Sequence, residues 1–222
     1  MASDTPPPVT AIEQRSPWWY RYRFFTIGAA YGIGFFVGNA ISFGPSRPLP
    51  AAWAWGPHLG AHGTRSLLVL AFVLALGAWA VRSWGGAYLR PDVVWHADAL
   101  GDRLLVDGPF RYVRNPLYFG NVLLAAGMGL LAPPLGFFLI VAGNIVVALA
   151  LIRVEATLLR NRYGAVYDEY AAAVPPLVPR LTPAEVRGSI RGTPSLALGL
   201  RSEIFSAALA ATVLAVAIFA PA

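Results

Sequence analysis

Residues 117–152 read LYFGNVLLAAGMGLLAPPLGFFLIVAGNIVVALALI and contain no charged side chain. A helix needs about 20 residues to cross the hydrocarbon core of a bilayer, so this stretch is too long for a single span. Pro133 and Pro134 divide it, and proline ends or kinks a helix because it lacks a donor N–H and clashes with the preceding turn. We therefore predict a tight helical hairpin, with one arm over residues 117–132 and the other over residues 135–152.

Three further apolar runs lie outside this hairpin. The first covers residues 24–43 without a charge, and the last covers residues 204–219. Between them, residues 65–82 form a run that is short for a span, but the arginines at its two ends can snorkel to the bilayer surface. We therefore predict an all-α integral membrane protein with about five transmembrane helices.

The composition excludes a water-soluble domain. Of the 222 residues, 57% are hydrophobic and only 13% are charged, whereas a soluble domain carries about 25% charged residues. The chain has no cysteine, which excludes disulfides, thiolate metal sites and a cysteine nucleophile. His58 and His62 alone supply too few ligands for a metal ion, so we predict no metal site.

The distribution of positive charge predicts the topology. Every basic residue is an arginine, and because these arginines lie beside apolar runs, we expect contact with membrane lipids and not with nucleic acid. They are frequent before the first span, in the loop 83–116 and in the segment 153–202, whereas the loop between the first two spans holds only Arg47 and Arg65. The positive-inside rule then predicts a multi-pass protein, expected in a bacterial inner membrane, with the N-terminus and the segments 83–116 and 153–202 facing the cytoplasm.

The first of these cytoplasmic segments contains GPFRYVRNPLYFG at residues 108–120. One interpretation is structural: Asn115 caps a helix, Pro116 is its first residue, and Arg111 and Arg114 anchor the chain at the membrane surface. The alternative is functional, because a helix N-terminus beside two arginines and two tyrosines suits a small anionic group. The residues alone leave both interpretations open.

The second cytoplasmic segment begins near Glu155, the only acidic residue between Asp107 and Asp168. An acid at the point where a span leaves the membrane costs free energy unless it faces a cavity or a partner. Glu155 is therefore either part of a functional site or paired with an arginine such as Arg153.

Beyond this acid, three tyrosines and a valine recur at helical spacing, at Tyr163, Tyr167, Tyr170 and Val174. They predict one face of a cytoplasmic interfacial helix that lies along the membrane. The simplest interpretation of this face is packing against the bilayer surface.

At these residues the sequence resembles a known family. The motif at 108–120, an apolar hairpin and then the pattern E-x7-Y-G-x2-Y-x2-Y-x3-V-P resemble the isoprenylcysteine carboxyl methyltransferase and phospholipid methyltransferase superfamily. Its members are multi-pass membrane enzymes that use S-adenosylmethionine. The resemblance covers roughly residues 67–180 and implies a cofactor held between the cytoplasmic motifs and the end of the hairpin, with a lipid-like acceptor that arrives from the bilayer.

Site residues can be carried over by position. The run from Arg114 to Tyr118 matches the family's Arg-His-Pro-x-Tyr element, and Glu155 matches the first residue of its Glu-Glu pair. Asn115 departs from the histidine usual in carboxyl methyltransferases and is more like the phospholipid N-methyltransferases, and Ala156 replaces the second glutamate, so the acceptor is either a carboxylate or an amine. The resemblance implies catalytic roles for Arg114 and Glu155, and it implies a cofactor-binding set of Gly108, Tyr112, Arg114, Asn115, Pro116, Tyr118 and Glu155.

These residue types suit the chemistry. Methyl transfer from a sulfonium needs in-line positioning of the acceptor and neither a metal nor a covalent nucleophile. An amine acceptor must also lose a proton, for which Glu155 or Asp107 is the candidate base. The face of Tyr112 or Tyr118 can meet the sulfonium charge. We therefore predict a membrane methyltransferase that depends on S-adenosylmethionine and acts on a lipid-like acceptor.

Two alternatives stay open at the level of sequence. One is a membrane reductase of the sterol or steroid type, which shares a related hairpin-bearing fold and needs a nicotinamide cofactor. The other is a non-catalytic membrane protein that retains the fold. Binding assays with the two cofactors would separate the three functions.

The chain divides into four parts on this interpretation. Residues 1–23 form a tail and an interfacial anchor, and residues 24–66 form the first helix and an outer loop. Residues 67–180 form the methyltransferase core, and residues 181–222 form a linker that contains proline and glycine, followed by a C-terminal helix.

Overall fold

The computed structural model describes residues 20, 22–41, 49–89, 104–187 and 189–219. Within this part of the chain the regular structure is helical, with one isolated bridge between Leu105 and Ile190. The all-α fold predicted from the sequence is confirmed. Its α-helices are α1 (Arg23–Ile41), α2 (Ala51–Trp55), α3 (Gly63–Tyr88), α4 (Pro116–Gly129), α5 (Pro134–Tyr163), α6 (Ala165–Ala173), α7 (Leu196–Ser202) and α8 (Ile204–Phe219), and 3-10 turns cover Gly56–Leu59 and Gly108–Arg111.

Several features predicted from the sequence lie outside the described residues. They are the N-terminal tail, much of the aromatic anchor, the last residues of the first predicted span and three loop arginines, namely residues 1–16, Trp18, Trp19, Arg21, residues 42–43, Arg47, Arg90 and Arg103.

The predicted hairpin is confirmed as helices α4 and α5. Pro133 is the N-cap of α5 and Pro134 is its first helical residue, a position where the missing N–H leaves no bond unmade. The first arm ends at Gly129, slightly before the predicted residue 132, whereas the second arm continues well past residue 152. A helix does not have to end where it leaves the hydrocarbon core. Helix α5 continues to Tyr163 and ends at Gly164, which adopts φ +52, a conformation that favours glycine.

The lengths of the helices indicate an integral membrane protein. Helices α1, α3 and α5 are long and apolar enough to cross a bilayer, and the pair α7–α8, bent by 64°, would make a fourth span if it crosses as one unit. Helix α4 has 14 residues, which at about 1.5 Å per residue is shorter than a hydrocarbon core of about 30 Å. The predicted number of five spans therefore stays a prediction.

Small residues bring the helices close together. Helix α1 packs on α5, and α3 packs on both α4 and α8. Ala71, Ala75 and Ala78 on α3 are fully buried, and a Cβ on Gly127 of α4 would lie 2.7 Å from the carbonyl oxygen of Ala71. Close backbone approach through alanine and glycine is how helices associate in lipid, where no hydrophobic force drives them together.

The predicted interfacial face is divided between two helices. Tyr163 is the last residue of α5, and Tyr167 and Tyr170 lie on α6, because the turn at Gly164 separates them. The side chains of Tyr167 and Tyr170 are both only 3% exposed, and they pack with Val174 on Leu104 and Val106 of the protein itself. The prediction that these residues form a single helical face packed on lipid is therefore wrong. The orientation of α6 along the membrane stays a prediction.

The prediction that Arg82 snorkels to the bilayer surface is wrong. Its side chain is only 16% exposed and pairs with Glu203 at the start of α8, with a distance of 2.6 Å between Nε and Oε2. The buried carboxylate of Glu203 therefore replaces surface water as the partner of this guanidinium.

Candidate functional site

The motif at 108–120 begins with a turn that requires glycine. Gly108 has φ +54, and a Cβ at this position would overlap the ring of Tyr88. Asp107 stabilises the turn because its Oδ1 accepts a hydrogen bond from the Gly108 amide at 2.8 Å. Gly108, predicted to bind cofactor, thus has a clear conformational role in directing the chain toward Arg114.

The two segments predicted to face the cytoplasm, far apart in sequence, are joined by backbone hydrogen bonds. The Arg114 amide donates to the carbonyl oxygen of Pro175 at 2.9 Å, and the Arg180 amide donates to that of Tyr112 at 3.0 Å. The hydroxyl of Tyr170 donates to the carbonyl oxygen of Phe110 at 2.9 Å. Burial raises the pKa of this phenol, so it stays neutral and keeps its proton for the bond.

Arg114 is held beside Tyr167 and is incompletely paired. Its Nη1 donates to the Tyr167 hydroxyl oxygen at 3.2 Å. Its Nε is buried and has no hydrogen-bond partner among the described residues. Burying an unpaired donor of a charged group is costly, so this atom is suited to an acceptor that the chain itself does not supply.

Asn115 and Pro116 take the predicted N-cap and first helical positions of α4, but the capping bond predicted for Asn115 is not made. The Nδ2 of Asn115 instead donates to the carbonyl oxygen of Pro176 at 2.8 Å. Asn115 therefore ties the motif to the end of the second segment through its amide N–H₂ group, which a carboxylate could not do.

Glu155 lies where three segments meet. Its Oε1 accepts hydrogen bonds from the hydroxyls of Tyr118 on α4, at 2.6 Å, and Tyr20, at 3.1 Å. The alternative ion pair with Arg153 does not occur among the described residues. Both tyrosines use the same oxygen, and Oε2 of Glu155 accepts no hydrogen bond from the described part of the chain.

Tyr20 is a partner of Glu155 that sequence reasoning missed. Its position in an aromatic cluster with Trp18 and Trp19 favours an interfacial anchor. The hydroxyl instead points inward, and the side chain is 8% exposed. Nothing in the sequence connects residue 20 with residue 155, so only the packing of α1 on α5 reveals the pair.

The predicted residues form two neighbouring groups along α4. Arg114 and Asn115 contact the second segment, at Tyr167 and Pro176, whereas Tyr118 contacts Glu155 on the hairpin. No hydrogen bond or ion pair within the described residues joins Arg114 directly to Glu155. The first turn of α4, from Asn115 to Tyr118, is the element that fixes one group relative to the other.

Two cavities flank the motif. An apolar cleft of about 200 Å³ lies between α3, α4 and the motif, and includes Tyr112, whose ring centre is 5.9 Å from that of Trp84. A polar cavity of about 360 Å³ lies on the side of the second segment, where Arg111, Arg187 and Arg191 face Glu169 and Glu185. The cleft is lined by Val81, Trp84, Pro109, Tyr112, Val113, Phe119 and Pro179.

Comparison with known proteins supports the resemblance seen in the motifs. Residues 66–166 match the family model for phospholipid methyltransferase, which confirms the predicted relationship over this segment. Neither the curated proteins nor the solved structures contain a match. The matched segment contains every predicted site residue and leaves α1, α7 and α8 outside. Over residues 66–166 the chain is therefore similar to phospholipid methyltransferases, and it has helices that can span a bilayer.

Proposed function

We propose that this protein transfers the methyl group of S-adenosylmethionine to a lipid-like acceptor at the cytoplasmic face of the membrane. The observation that carries the proposal is the unpaired, buried Nε of Arg114, placed in the segment that matches phospholipid methyltransferases. S-adenosylmethionine supplies an activated methyl group and presents a carboxylate, an amine and ribose hydroxyls to the protein.

Arg114 fits the carboxylate end of this cofactor. Its Nη1 contact to Tyr167 fixes one edge of the guanidinium, and the Nε that remains can donate to a carboxylate oxygen. A charge-assisted bond of this kind is roughly twice as strong as a neutral one. Arg114 would therefore orient the cofactor at the N-terminal end of α4.

Glu155 fits the groups of the cofactor that donate hydrogen bonds, namely its amine and ribose hydroxyls. Since Tyr118 and Tyr20 both donate to Oε1, the second oxygen can accept from the amine or from a ribose hydroxyl. The two tyrosines hold the carboxylate in one orientation, so it needs little reorganisation when the cofactor binds.

The acceptor decides whether the protein must also move a proton. A carboxylate acceptor needs only in-line positioning beside the sulfonium methyl. An amine acceptor must lose a proton, and Glu155 and Asp107 are the candidate bases. Each of these carboxylates already uses one oxygen, to Tyr118 and to the Gly108 amide respectively.

The apolar cleft supports a lipid-like acceptor. Trp84 at its edge is 41% exposed and lies near the end of α3, a helix that can span the bilayer. A hydrocarbon chain that enters from the membrane would meet no polar group in the cleft, and its other end would lie near Tyr112. We therefore assign the cleft to the hydrocarbon part of the acceptor.

Methyl transfer itself is the decisive test. We expect purified protein, incubated with a total lipid extract and methyl-labelled S-adenosylmethionine, to produce a labelled lipid that mass spectrometry identifies. Val81→Trp should fill the cleft and slow labelling by about tenfold while cofactor affinity is kept, because burying less hydrocarbon weakens only acceptor binding. Val73→Trp, at a lipid-exposed position on the same helix, is the matched control. Binding of a nicotinamide cofactor and none of S-adenosylmethionine would contradict the proposal.

We also expect residues 108–120 and 153–180 to face the cytoplasm, and the hairpin turn to face the opposite side. The Ala51 amide donates to the carbonyl oxygen of Ala132 at 2.7 Å, so α2 and the turn lie on the same side. In this cysteine-free chain, Leu59→Cys should react with an impermeant thiol reagent only from outside, and Glu185→Cys only from the cytoplasm. Leu59 is 64% exposed and the Glu185 side chain is 82% exposed. Labelling of Leu59→Cys from the cytoplasm would reverse the topology.

A further inference from the structure

A buried ion pair links the C-terminal helices to the segment that matches the methyltransferases. Glu203, at the bend between α7 and α8, is 5% exposed. Arg82 lies near the C-terminal end of α3, within the matched segment. Their side chains meet in two parallel bonds, Nε to Oε2 at 2.6 Å and Nη2 to Oε1 at 2.9 Å.

The carboxylate of Glu203 is fully occupied at this position. Both of its oxygens accept from Arg82, and Oε2 also accepts from the hydroxyl of Ser206 at 2.9 Å. A bidentate pair fixes the plane of the guanidinium as well as its distance. The direction of the remaining nitrogen, Nη1, is thereby set by a residue of the C-terminal unit.

That remaining nitrogen contacts the beginning of α4. Nη1 of Arg82 donates to the carbonyl oxygen of Leu117 at 3.3 Å and to Oδ1 of Asn121. Gly120 leaves room for the arginine, because a Cβ there would overlap the Arg82 side chain. Arg82 therefore holds the same turn of α4 that carries Asn115 and Tyr118.

We infer that Glu203, acting through Arg82, is a positioning residue that fixes the first turn of α4 and thereby the relative placement of Arg114 and Glu155. The inference rests on the proposed function for its effect on cofactor binding. It gives the C-terminal helices, which lie outside the matched segment, a part in the site.

Stability alone does not require this arrangement. Replacing a buried ion pair by apolar residues of similar size is often neutral or even stabilising, because the pair must lose its hydration. Ionisable groups buried in a membrane protein are in addition rare and are commonly functional. If the pair served only to attach α8, apolar residues could replace it without an effect on cofactor binding. If it orients α4, the same replacement should weaken cofactor binding.

Two variants separate positioning from attachment. Arg82→Met combined with Glu203→Leu removes the pair without leaving a charge unpaired, so the fold should be kept. Arg82→Lys keeps a charge for Glu203, but a single nitrogen atom lacks the planar fork that bonds both Glu203 oxygens and the start of α4 in fixed directions. Arg160→Lys is the matched control, because the pair of Arg160 with Asp168, at 2.7 Å, is about half exposed on the surface.

We expect both variants to melt in detergent close to the unmodified protein and to exchange the amide hydrogens of residues 117–121 roughly tenfold faster, the sign of a loosened turn. The KM for S-adenosylmethionine should rise roughly tenfold, while the rate at saturating cofactor changes little, since only uniform binding is lost. Arg160→Lys should change none of these quantities.

Unchanged amide exchange and unchanged KM in a folded variant would overturn the inference and reduce the pair to an attachment of α8. If the variant that combines Arg82→Met with Glu203→Leu fails to fold, amide exchange and KM measured on Arg82→Lys decide between positioning and attachment. If the unmodified protein binds no S-adenosylmethionine, the proposed function fails, and amide exchange still decides whether Glu203 positions α4.

Discussion

Glu155→Gln is expected to weaken S-adenosylmethionine binding more than about tenfold, a loss of about 1.4 kcal/mol or more, as for a charge-assisted hydrogen bond. The variant should still fold and insert, because glutamine offers an acceptor oxygen that can keep the bonds from Tyr118 and Tyr20. What it lacks is the negative charge, and a cofactor amine depends on that charge. Isothermal titration of purified protein with the cofactor measures the change.

The control for this experiment is Glu169→Gln. Glu169 is an exposed acid on α6 that, within the described residues, accepts only a long bond, at 3.3 Å, from the Arg187 amide, so the same substitution there should leave cofactor affinity unchanged. Equal affinity in Glu155→Gln and the unmodified protein would mean that Glu155 serves only as an acceptor for the two tyrosines. Its carboxylate would then have no part in the site.

The hairpin could be predicted from the sequence because its signals are local. An uncharged stretch of this length has few solutions in lipid, and the adjacent prolines, Pro133 and Pro134, place the turn between its arms. The end of α5 was not predictable in the same way. Hydrophobicity marks where a helix leaves the hydrocarbon core, whereas α5 ends later, at a glycine with positive φ.

The candidate site residues could be named from the sequence, but their contacts could not. The motif identifies Asn115, yet its hydrogen bond to Pro176 joins positions that only the fold brings together. The pair of Arg82 with Glu203 was missed for the same reason, although one signal was present. Glu203 is an acid that directly precedes an apolar helix, where an unpaired charge is costly.

Arg114→Lys distinguishes a functional role of this arginine from a role as a membrane anchor. If Arg114 only marks the cytoplasmic side, lysine should serve equally well, because the topology signal counts charge and not geometry. A carboxylate bound by Nε, with Nη1 held by Tyr167, requires the planar fork of a guanidinium, which lysine lacks. We expect normal insertion and methyl transfer reduced by roughly tenfold or more.

Arg153→Lys is the matched control for this change. Arg153 is exposed and lies on α5 two residues before Glu155, so it tests the same loss of a guanidinium at an arginine outside the proposed site. Its methyl transfer should match that of the unmodified protein. A comparable loss of methyl transfer in Arg114→Lys and Arg153→Lys would point to a general effect on membrane insertion. Thiol labelling of Glu185→Cys, introduced into each of the two variants, would detect such an effect.

Asn115 provides the companion test, because its side chain donates a hydrogen bond and does not cap the helix. Aspartate is as good an N-cap residue as asparagine. It cannot, however, donate to the carbonyl oxygen of Pro176, and it would place a negative charge near the cofactor carboxylate. Histidine keeps a ring N–H and is the residue usual in related carboxyl methyltransferases. We therefore expect Asn115→Asp to be much less active than Asn115→His, with melting temperatures measured for both to separate folding from binding. Full activity in both Arg114→Lys and Asn115→Asp would mean that this loop is structural and that the cofactor binds elsewhere.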